Sequence, residues 1–583
     1  MEKTQQSFAD LQKRLVGYML DETLKNAVSE AHSRAALSID ILTRNLYERS
    51  ADVAFLASDE TLIDFMSSSD RSVQTRDAIE RRLNDYKSLY TVYSDVVLLA
   101  ANGMVVARAN SAKGYERVQD ELISKALSSQ EYVQAYAFNE ITRDRSMLFL
   151  CKIVLGEREL GVLALVFDLR DEMKRIFATL GSVTAFADQA LRVIGSSDQR
   201  VIAEASLMSS AQSYTTKRLG SSIYIGVKAA TKGYEGYKGL DWFGIAYMPI
   251  NSGSGNVSDL RFPSLLSADL HGIINQSDEI GEDLGDVVIN GELIASKTRA
   301  YALNPILENI RTIGEQTRAI FVRTESDLNG IASASLFNDV ALFAKIALDF
   351  LDRNLYERSN DCRWWALTKL FRQGRFDETS KALERLNRLY SVYSLLFIYD
   401  RQGIIRAVSK HEAAKYIGQQ CADETALAAL GNVDPQRYFV SRFAPSVYYD
   451  GKPTYIYHAS ITALTPQQEA IGGIGVVFDA QPQMEAILRA VIRRDTNGNP
   501  IEGAMNFFVD DRLTVIASTN PQIEPATTLA IEIEYEPSKA KPIEYNGKSY
   551  IAAMNQSAGY REYNTNVGSI RSLIMLPIEN PVR

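Results

Sequence analysis

This sequence is poor in the residues that usually carry chemistry. Histidine occurs four times in 583 residues, at 32, 271, 411 and 458. His411-Glu412 opens like the helix of a zinc protease, but Lys415 stands where the second histidine is needed. No metal site and no cofactor are expected. Cysteine occurs three times, as Cys151, Cys362 and Cys421. An odd, scattered set suits a reducing cytoplasm better than a disulfide framework. There is no glycine-rich phosphate loop; Gly253 and Gly255 lie in NSGSGNVSD, which reads as linker. There is no G-x-S-x-G elbow. Among 72 acidic residues, no pair has a spacing that singles it out. The chain is not expected to be an enzyme.

Long apolar runs and basic blocks are missing too. The net charge is −9 without a lysine/arginine cluster. A sequence-independent hold on nucleic acid needs clustered cations, so nucleic acid is not an expected partner. MEKTQQSFADLQKRL at the start has no apolar signal core. The most apolar helical stretch, Ser335–Leu351, is interrupted by Asp339, Lys345 and Asp349. A bilayer span needs about 20 mostly apolar residues. A soluble cytoplasmic protein is the expectation. With 46% hydrophobic and 23% charged residues, the chain has an ordinary globular composition and room for roughly three to five domains.

What the sequence does have is a long repeat. NLYERS occurs at Asn45–Ser50 and again at Asn354–Ser359. LYTVYS at Leu89–Ser94 answers LYSVYS at Leu389–Ser394, an offset of 390 − 90 = 300. VFDLRDEM at Val166–Met173 answers VFDAQPQM at Val477–Met484, offset 477 − 166 = 311. Gly233–Tyr234 answers Gly559–Tyr560, offset 559 − 233 = 326, and MPI at Met248–Ile250 answers LPI at Leu576–Ile578. The offset drifts by loop-sized steps, so the chain is two copies of one long module.

Each copy opens with helix. Leu336, Val340, Phe343, Ala347 and Phe350 step by four and three residues, giving a narrow apolar seam that implies a helical partner within the chain or across a homodimer. From Pro305 to about Phe371 nothing stops this helix, although Gly314 and Gly330 are places for a kink. Phe8–Leu56 is its counterpart. The period then changes. Ser94–Ala109 and Ser394–Ser409 read as strand, tight turn, strand, with turns at Asn102–Gly103 and Gln402–Gly403. Further strands are predicted at Met147–Ile153, Gly161–Phe167, Thr454–Ile461 and Ile474–Phe478. A smaller strand–turn–strand block follows at Thr184–Ser197 and Asn506–Thr519.

This order resembles the double Cache sensor domain of bacterial chemoreceptors and sensor kinases. The phrases NLYERSNDCRWWAL, KGYEGYKGLDW and RSLIMLPIE are similar to stretches of such receptors. The resemblance implies an α+β fold of tandem double Cache units, each a long helix followed by two PAS-like antiparallel-sheet modules. The expected divisions are a helix at 1–65, a distal module at 66–180, a proximal module at 181–250 and a connector at 251–304. A second helix at 305–372, distal module at 373–498 and proximal module at 499–583 follow. The chain is expected to depart from the family in having no membrane segment around either copy and no transmitter domain after Arg583.

In that family, small polar metabolites bind mainly in the distal module. An aspartate ending its last strand accepts the ligand ammonium, and Asp168 and Asp479 match it. Each also stands where a helix N-cap is needed, which aspartate fills well. Tyr132 and Tyr438 match the tyrosine that opens the preceding strand, or are ordinary half-buried strand tyrosines. The arginine and tryptophan–tyrosine that hold the ligand carboxylate have no match in Tyr115–Leu127 or Tyr416–Leu430. The expected ligand therefore bears an amine without a conventionally held α-carboxylate. Arg406, Arg442, Tyr455, Tyr457 and His458 make the second copy more polar and aromatic, on strands expected to face one cavity. Trp364–Trp365 are expected to pack helix on sheet. NLYERS is expected to bury its Leu and Tyr while Glu and Arg pair locally or face solvent.

The reading is a cytoplasmic sensor of a chemotaxis or related system, signalling to chemotaxis proteins through long helices. The rival is a structural scaffold with degenerate pockets.

Overall fold

In the computed structural model, the described residues are 2–202, 214–219, 222–249, 268–299, 302, 304–465, 467–494, 499–537, 539–561, 563 and 570–578. The NSGSGNVSD segment read as linker lies outside them. The first copy begins with α1 (Glu2–Leu56), α2 (Glu60–Ser67) and α3 (Val73–Leu89). Its distal module holds β1 (Tyr93–Ala100), β2 (Val105–Arg108), α4 (Glu121–Ser128), β3 (Val133–Asn139), β4 (Asp144–Leu155) and β5 (Arg158–Phe167), closed by α5 (Leu169–Leu180). Its proximal module holds β6 (Val183–Ala187), β7 (Val193–Ser196), α6 (Gln199–Ile202), β8 (Thr215–Leu219), β9 (Ser222–Ala230) and β10 (Phe243–Pro249). The segment read as connector carries α7 (Ala268–Thr298).

The second copy repeats this plan. It begins with α8 (Asn304–Ala366), α9 (Lys369–Arg372) and α10 (Ser380–Leu389). Its distal module has β11 (Tyr393–Asp400), β12 (Ile405–Val408), α11 (Glu424–Leu430), β13 (Phe439–Val440), β14 (Ala444–Pro445), β15 (Pro453–Thr454), β16 (Ile456–Thr462), β17 (Ala470–Phe478) and then α12 (Ala480–Ala490). Its proximal module has β18 (Met505–Val509), β19 (Val515–Ser518), β20 (Ala540–Tyr545), β21 (Lys548–Gln556) and β22 (Arg571–Ile578).

All four main sheets are antiparallel, five-stranded and ordered alike: β2-β1-β5-β4-β3, β7-β6-β10-β9-β8, β12-β11-β17-β16-β13 and β19-β18-β22-β21-β20. The predicted tight turns are present. Gly103 and Gly403 sit there with φ of 82° and 79°, a left-handed conformation that glycine adopts without steric cost. Strand β13 is short where its counterpart β3 is long. The chain leaves the sheet after Val440 and pairs Ala444–Pro445 with Pro453–Thr454 instead, consistent with prolines that cannot donate to a central ladder.

Helix α8 runs unbroken for 63 residues, through Gly314 and Gly330, or about 95 Å at 1.5 Å per residue. Its apolar seam is satisfied within the chain: Leu336, Val340, Phe343, Ala347 and Phe350 are all buried in one core with residues of both copies. No second molecule is required to cover it. The core continues through Trp364 and Trp365, which are 1% and 0% exposed. Trp365 packs edge-on to Tyr390, Tyr393 and Phe55, and Trp364 edge-on to Tyr86 of the other copy. The tryptophans thus bind sheet to helix and copy to copy.

Candidate functional site: the paired copies and the distal modules

The repeated phrases converge on one buried centre. Arg49 Nη2 lies 2.5 Å from Glu357 Oε1, and Arg358 Nη2 lies 3.0 Å from Glu48 Oε1. Position four of each NLYERS pairs with position five of the other, a reciprocal contact of the kind a twofold dimer makes. The expectation of local pairing or solvent exposure is corrected: all four charges are buried, at 8% exposure or less. One turn on, Asp52 accepts from Tyr93 of its own copy at 2.5 Å and from Tyr390 of the other at 3.4 Å. Asp361 accepts from its own Tyr393 and from Tyr90 of the other copy, the latter at 2.8 Å. Tyr47 and Tyr356 each meet the tyrosine of their own GY pair edge-on, with ring centroids 5.2 Å apart in both copies.

Four carboxylates here face two guanidiniums, Arg49 and Arg358. Burial opposes the charge that this leaves over, and it pushes Asp361 up to about 7 against the pull of Arg358. Burial raises Asp52 and Glu357 as well, with Arg49 opposing. Burial thus favours the protonated forms of Asp52, Glu357 and Asp361.

The distal modules differ in a way traceable to one residue. Asp168 caps α5 by accepting from the Asp171 backbone N–H at 3.1 Å. Asp479 stands at the same place before α12 but makes no cap bond. Three residues on from Asp479 is Pro482, which has no N–H to give. Asp479 instead accepts from the Tyr449 hydroxyl at 2.5 Å. Tyr449 closes the short 3₁₀ turn Val447–Tyr449, and burial raises its phenol, with the Asp479 carboxylate adding to the effect.

The other sequence candidates do not share one cavity. Tyr457 and His458 are neighbours on β16, so strand alternation sends them to opposite faces. Tyr457 is fully buried and stacks on Tyr438, 6.3 Å between centroids, and Tyr438 stacks in turn on Tyr563 of the proximal module. This face looks toward α8, whose Arg363 lies over Tyr438. His458 points the other way. Its Nδ1 is 3.3 Å from the Tyr399 hydroxyl and its Nε2 3.4 Å from Asp423. Burial would raise Asp423, but His458 and Thr425 together hold it below its ordinary value.

Arg406 lies on β12 and pairs with Asp400 at 2.6 Å, half in solvent. Arg442 is exposed and, with Tyr455 and Asp510, lines an open cleft between the distal and proximal modules. Tyr132 packs beside Phe149 against the core that includes α1. The expected common cavity of Arg406, Arg442, Tyr455, Tyr457 and His458 is not formed. The outer face of the distal sheet is filled from within: Phe397 and Tyr399 lie flat on Gly475 and Gly473, where a Cβ would come within 2.2 and 2.3 Å of the rings. Tyr448 packs on Phe397. In the first copy the same face is filled by apolar residues such as Val97, Leu99, Leu148 and Leu150.

Sequence reasoning missed Tyr449, Asp52, Asp361 and the cross-pairing of Glu48 and Arg49. The missing N–H at Pro482 and the repetition of charge within NLYERS were the available signals.

Among the described residues, no helix is long and apolar enough to cross a membrane, and no group of three or more His, Cys, Asp or Glu forms a metal site. No family model and no curated protein matches the chain. Solved structures do. The ligand-binding domain of the Pseudomonas fluorescens chemoreceptor CtaA with L-serine is 12% identical, with 42% of this chain covering 97% of that one at a TM-score of 0.32. The Campylobacter jejuni chemoreceptor Tlp3 domain with L-norvaline is 14% identical, 41% covering 96%, at 0.29. The V. cholerae histidine kinase DctB sensor domain is 16% identical, 35% covering 80%, at 0.26. At such scores the double Cache reading rests on the order of elements within each copy: a long helix, then two sheets with the same strand order.

Proposed function

We propose that the protein is a small-molecule sensor of a bacterial chemotaxis or related signalling system, with its ligand site in the second distal module. The observation that supports this most directly is Asp479, a strand-end carboxylate released from helix capping by Pro482 and occupied by the Tyr449 hydroxyl. A ligand ammonium brings a full positive charge to the carboxylate, which the neutral phenol does not, so an amine-bearing molecule would displace Tyr449 and move its turn. The first copy, whose Asp168 is committed to capping, would serve mainly as the structural partner. The paired long helices would carry the change to signalling proteins. The three free cysteines fit a reducing, cytoplasmic setting.

A second reading, a scaffold that binds no ligand, is favoured by the self-filled outer faces of both distal sheets. A thermal-shift screen of small amines and polar metabolites separates the two. A sensor gains about 2.7 kcal/mol at 100-fold excess of ligand over Kd. Asp479→Asn should abolish that gain and leave the ligand-free melting temperature nearly unchanged. A screen without a hit, or a hit indifferent to Asp479→Asn, would favour the scaffold.

A further inference from the structure

The two copies meet along two flanking seams that pseudo-symmetry makes equivalent, yet one is shut and the other open. In the shut seam the C-terminal end of α5 lies against α8. Lys345 Nζ donates to the carbonyl of Thr179 at 3.1 Å and reaches that of Ala178 at 3.5 Å. Thr179 Oγ1 donates to Asp349 at 3.1 Å. The last carbonyls of a helix lack intrahelical partners and carry its negative dipole end, and the lysine ammonium satisfies both needs.

In the open seam the end of α12 lies beside α1. The residue nine places before Asn354 is Lys345; nine before Asn45 it is Ala36. The residue eleven places after Asp168 is Thr179; eleven after Asp479 it is Ala490. Both members of the lock are thus alanine. The acid is retained, since Asp349 and Asp40 each stand five places before their asparagine. In place of the lock is a cleft of about 520 Å³, bounded by His32, Ser33, Ala36 and Asp40 on α1, by Lys232 after β9, and by Ala490–Arg494. That volume suits a small organic molecule.

The charges in the cleft are specific. Asp40 accepts from Thr231 Oγ1 at 2.8 Å, but among the described residues no lysine or arginine forms an ion pair with it. Burial raises its pKa, opposed by Thr231, by the nearby charges of Arg44 and Lys232, and by the Lys232 backbone N–H, which donates to it at 3.4 Å. Arg493 is committed to Asp339, and Lys25 to Asp21 at 2.7 Å. Lys232 makes no such pair among the described residues. Burial, then Lys232, lowers His32, which favours a neutral hydrogen-bonding imidazole.

We propose that this cleft binds a small molecule carrying a primary ammonium and, several bonds away, a carboxylate. The ammonium lies against the end of α12 as Lys345 Nζ lies against the end of α5, with Asp40 on the facing helix, and the carboxylate turns toward Lys232. The site lies at the opposite end of α12 from Asp479 and does not use that carboxylate. Its occupant would tie α12 of one copy to α1 of the other, giving the open seam the lock that the shut seam has built in. Binding therefore couples to the placement of α12 against α1.

The probe is 6-aminohexanoate, which carries both groups on a lysine-like chain, titrated calorimetrically into the full chain and followed by thermal shift. It should bind and raise the melting temperature, while hexanoate should not and hexylamine should do so more weakly. Ala36→Lys supplies the ammonium internally, so it should raise the melting temperature without probe and abolish the probe's shift. Asp40→Asn should abolish the shift with the circular dichroism unchanged, and it decides the matter if Ala36→Lys fails to fold. Asp479→Asn should leave the response intact, which separates this site from the distal one. The proposal is overturned if the probe gives no heat at millimolar concentration, or if its heat survives Asp40→Asn, or is lost in Asp479→Asn.

Discussion

The centre of the pairing and its flanks follow different rules. At the centre, Glu48, Arg49, Asp52, Tyr90 and Tyr93 have counterparts Glu357, Arg358, Asp361, Tyr390 and Tyr393 in the same roles. On the flanks the counterparts have diverged. Tyr560 donates to Glu172 at 2.5 Å, and that acid also holds Arg353 and Arg561. The matching contact on the other side, Tyr234 to Gln483 at 2.7 Å, ends in a neutral amide. At the axis each buried charge is answered by the image of its neighbour in the hexapeptide, so neither copy can change alone. Away from the axis each contact joins different residues, and within one chain those are free to differ. A dimer of identical subunits has no such freedom.

The comparison is tested most severely by separating the copies. Because position four pairs with position five in both directions, residues 304–583 alone should pair with themselves and scatter light as a dimer. Glu357→Arg in that fragment places like charges together and should leave monomer or aggregate. A monodisperse monomer of the unmutated fragment would show that the centre is not self-complementary.

In the full chain, Arg358→Leu leaves Glu48 and Asp361 buried without their cation, at an expected cost of about 3–5 kcal/mol. Arg442→Leu, in an exposed cleft, should stay within about 0.5 kcal/mol. Equal denaturation midpoints for the two variants would contradict the burial argument.

The pH dependence comes next in size. Asp361 is held near 7 in the folded chain, against about 4 when unfolded. Between those values the native state keeps a proton that the unfolded state releases, so this group makes stability fall as pH rises from about 4 to 7, by at most about 1.4 kcal/mol per pH unit. Below that window its contribution is fully present. Asp361→Asn should flatten the fall in unfolding free energy across the window; an unchanged slope would show that Asp361 is ionised throughout.

The smallest effect distinguishes the distal modules. Asp168→Ala removes a cap and should cost about 1 kcal/mol, whereas Asp168→Asn should cost little. Asp479→Ala has no cap to lose and should cost less than Asp168→Ala. If both alanine variants cost the same, Pro482 does not set the difference between the modules.

Much of the architecture was legible in the residues. The repeat showed two copies, the spacing of Leu336 to Phe350 showed a packed helix, and Gly103 and Gly403 marked the turns. The site was less legible. Asp168 and Asp479 both follow Val-Phe at the end of a strand, and the absent N–H of Pro482, three residues downstream, separates their roles. The proposed common cavity of Tyr457 and His458 failed on strand alternation, which was available from the sequence. The aromatic filling over Gly473 and Gly475 was not available, because it depends on which rings the neighbouring strand β11 delivers.

By itself the sequence determined what local periodicity and turn chemistry control: long helices, strand–turn–strand units, and their repetition in order. Those are properties of residues a few places apart. The tertiary structure alone decided that NLYERS faces its own copy, that Lys345 closes one seam while Ala36 leaves the other open, and that Tyr449 occupies Asp479. Each of these joins residues from 30 to more than 300 positions apart. A charged side chain looks the same in sequence whether water or an opposite charge surrounds it; only the packing of two copies around one axis determines which.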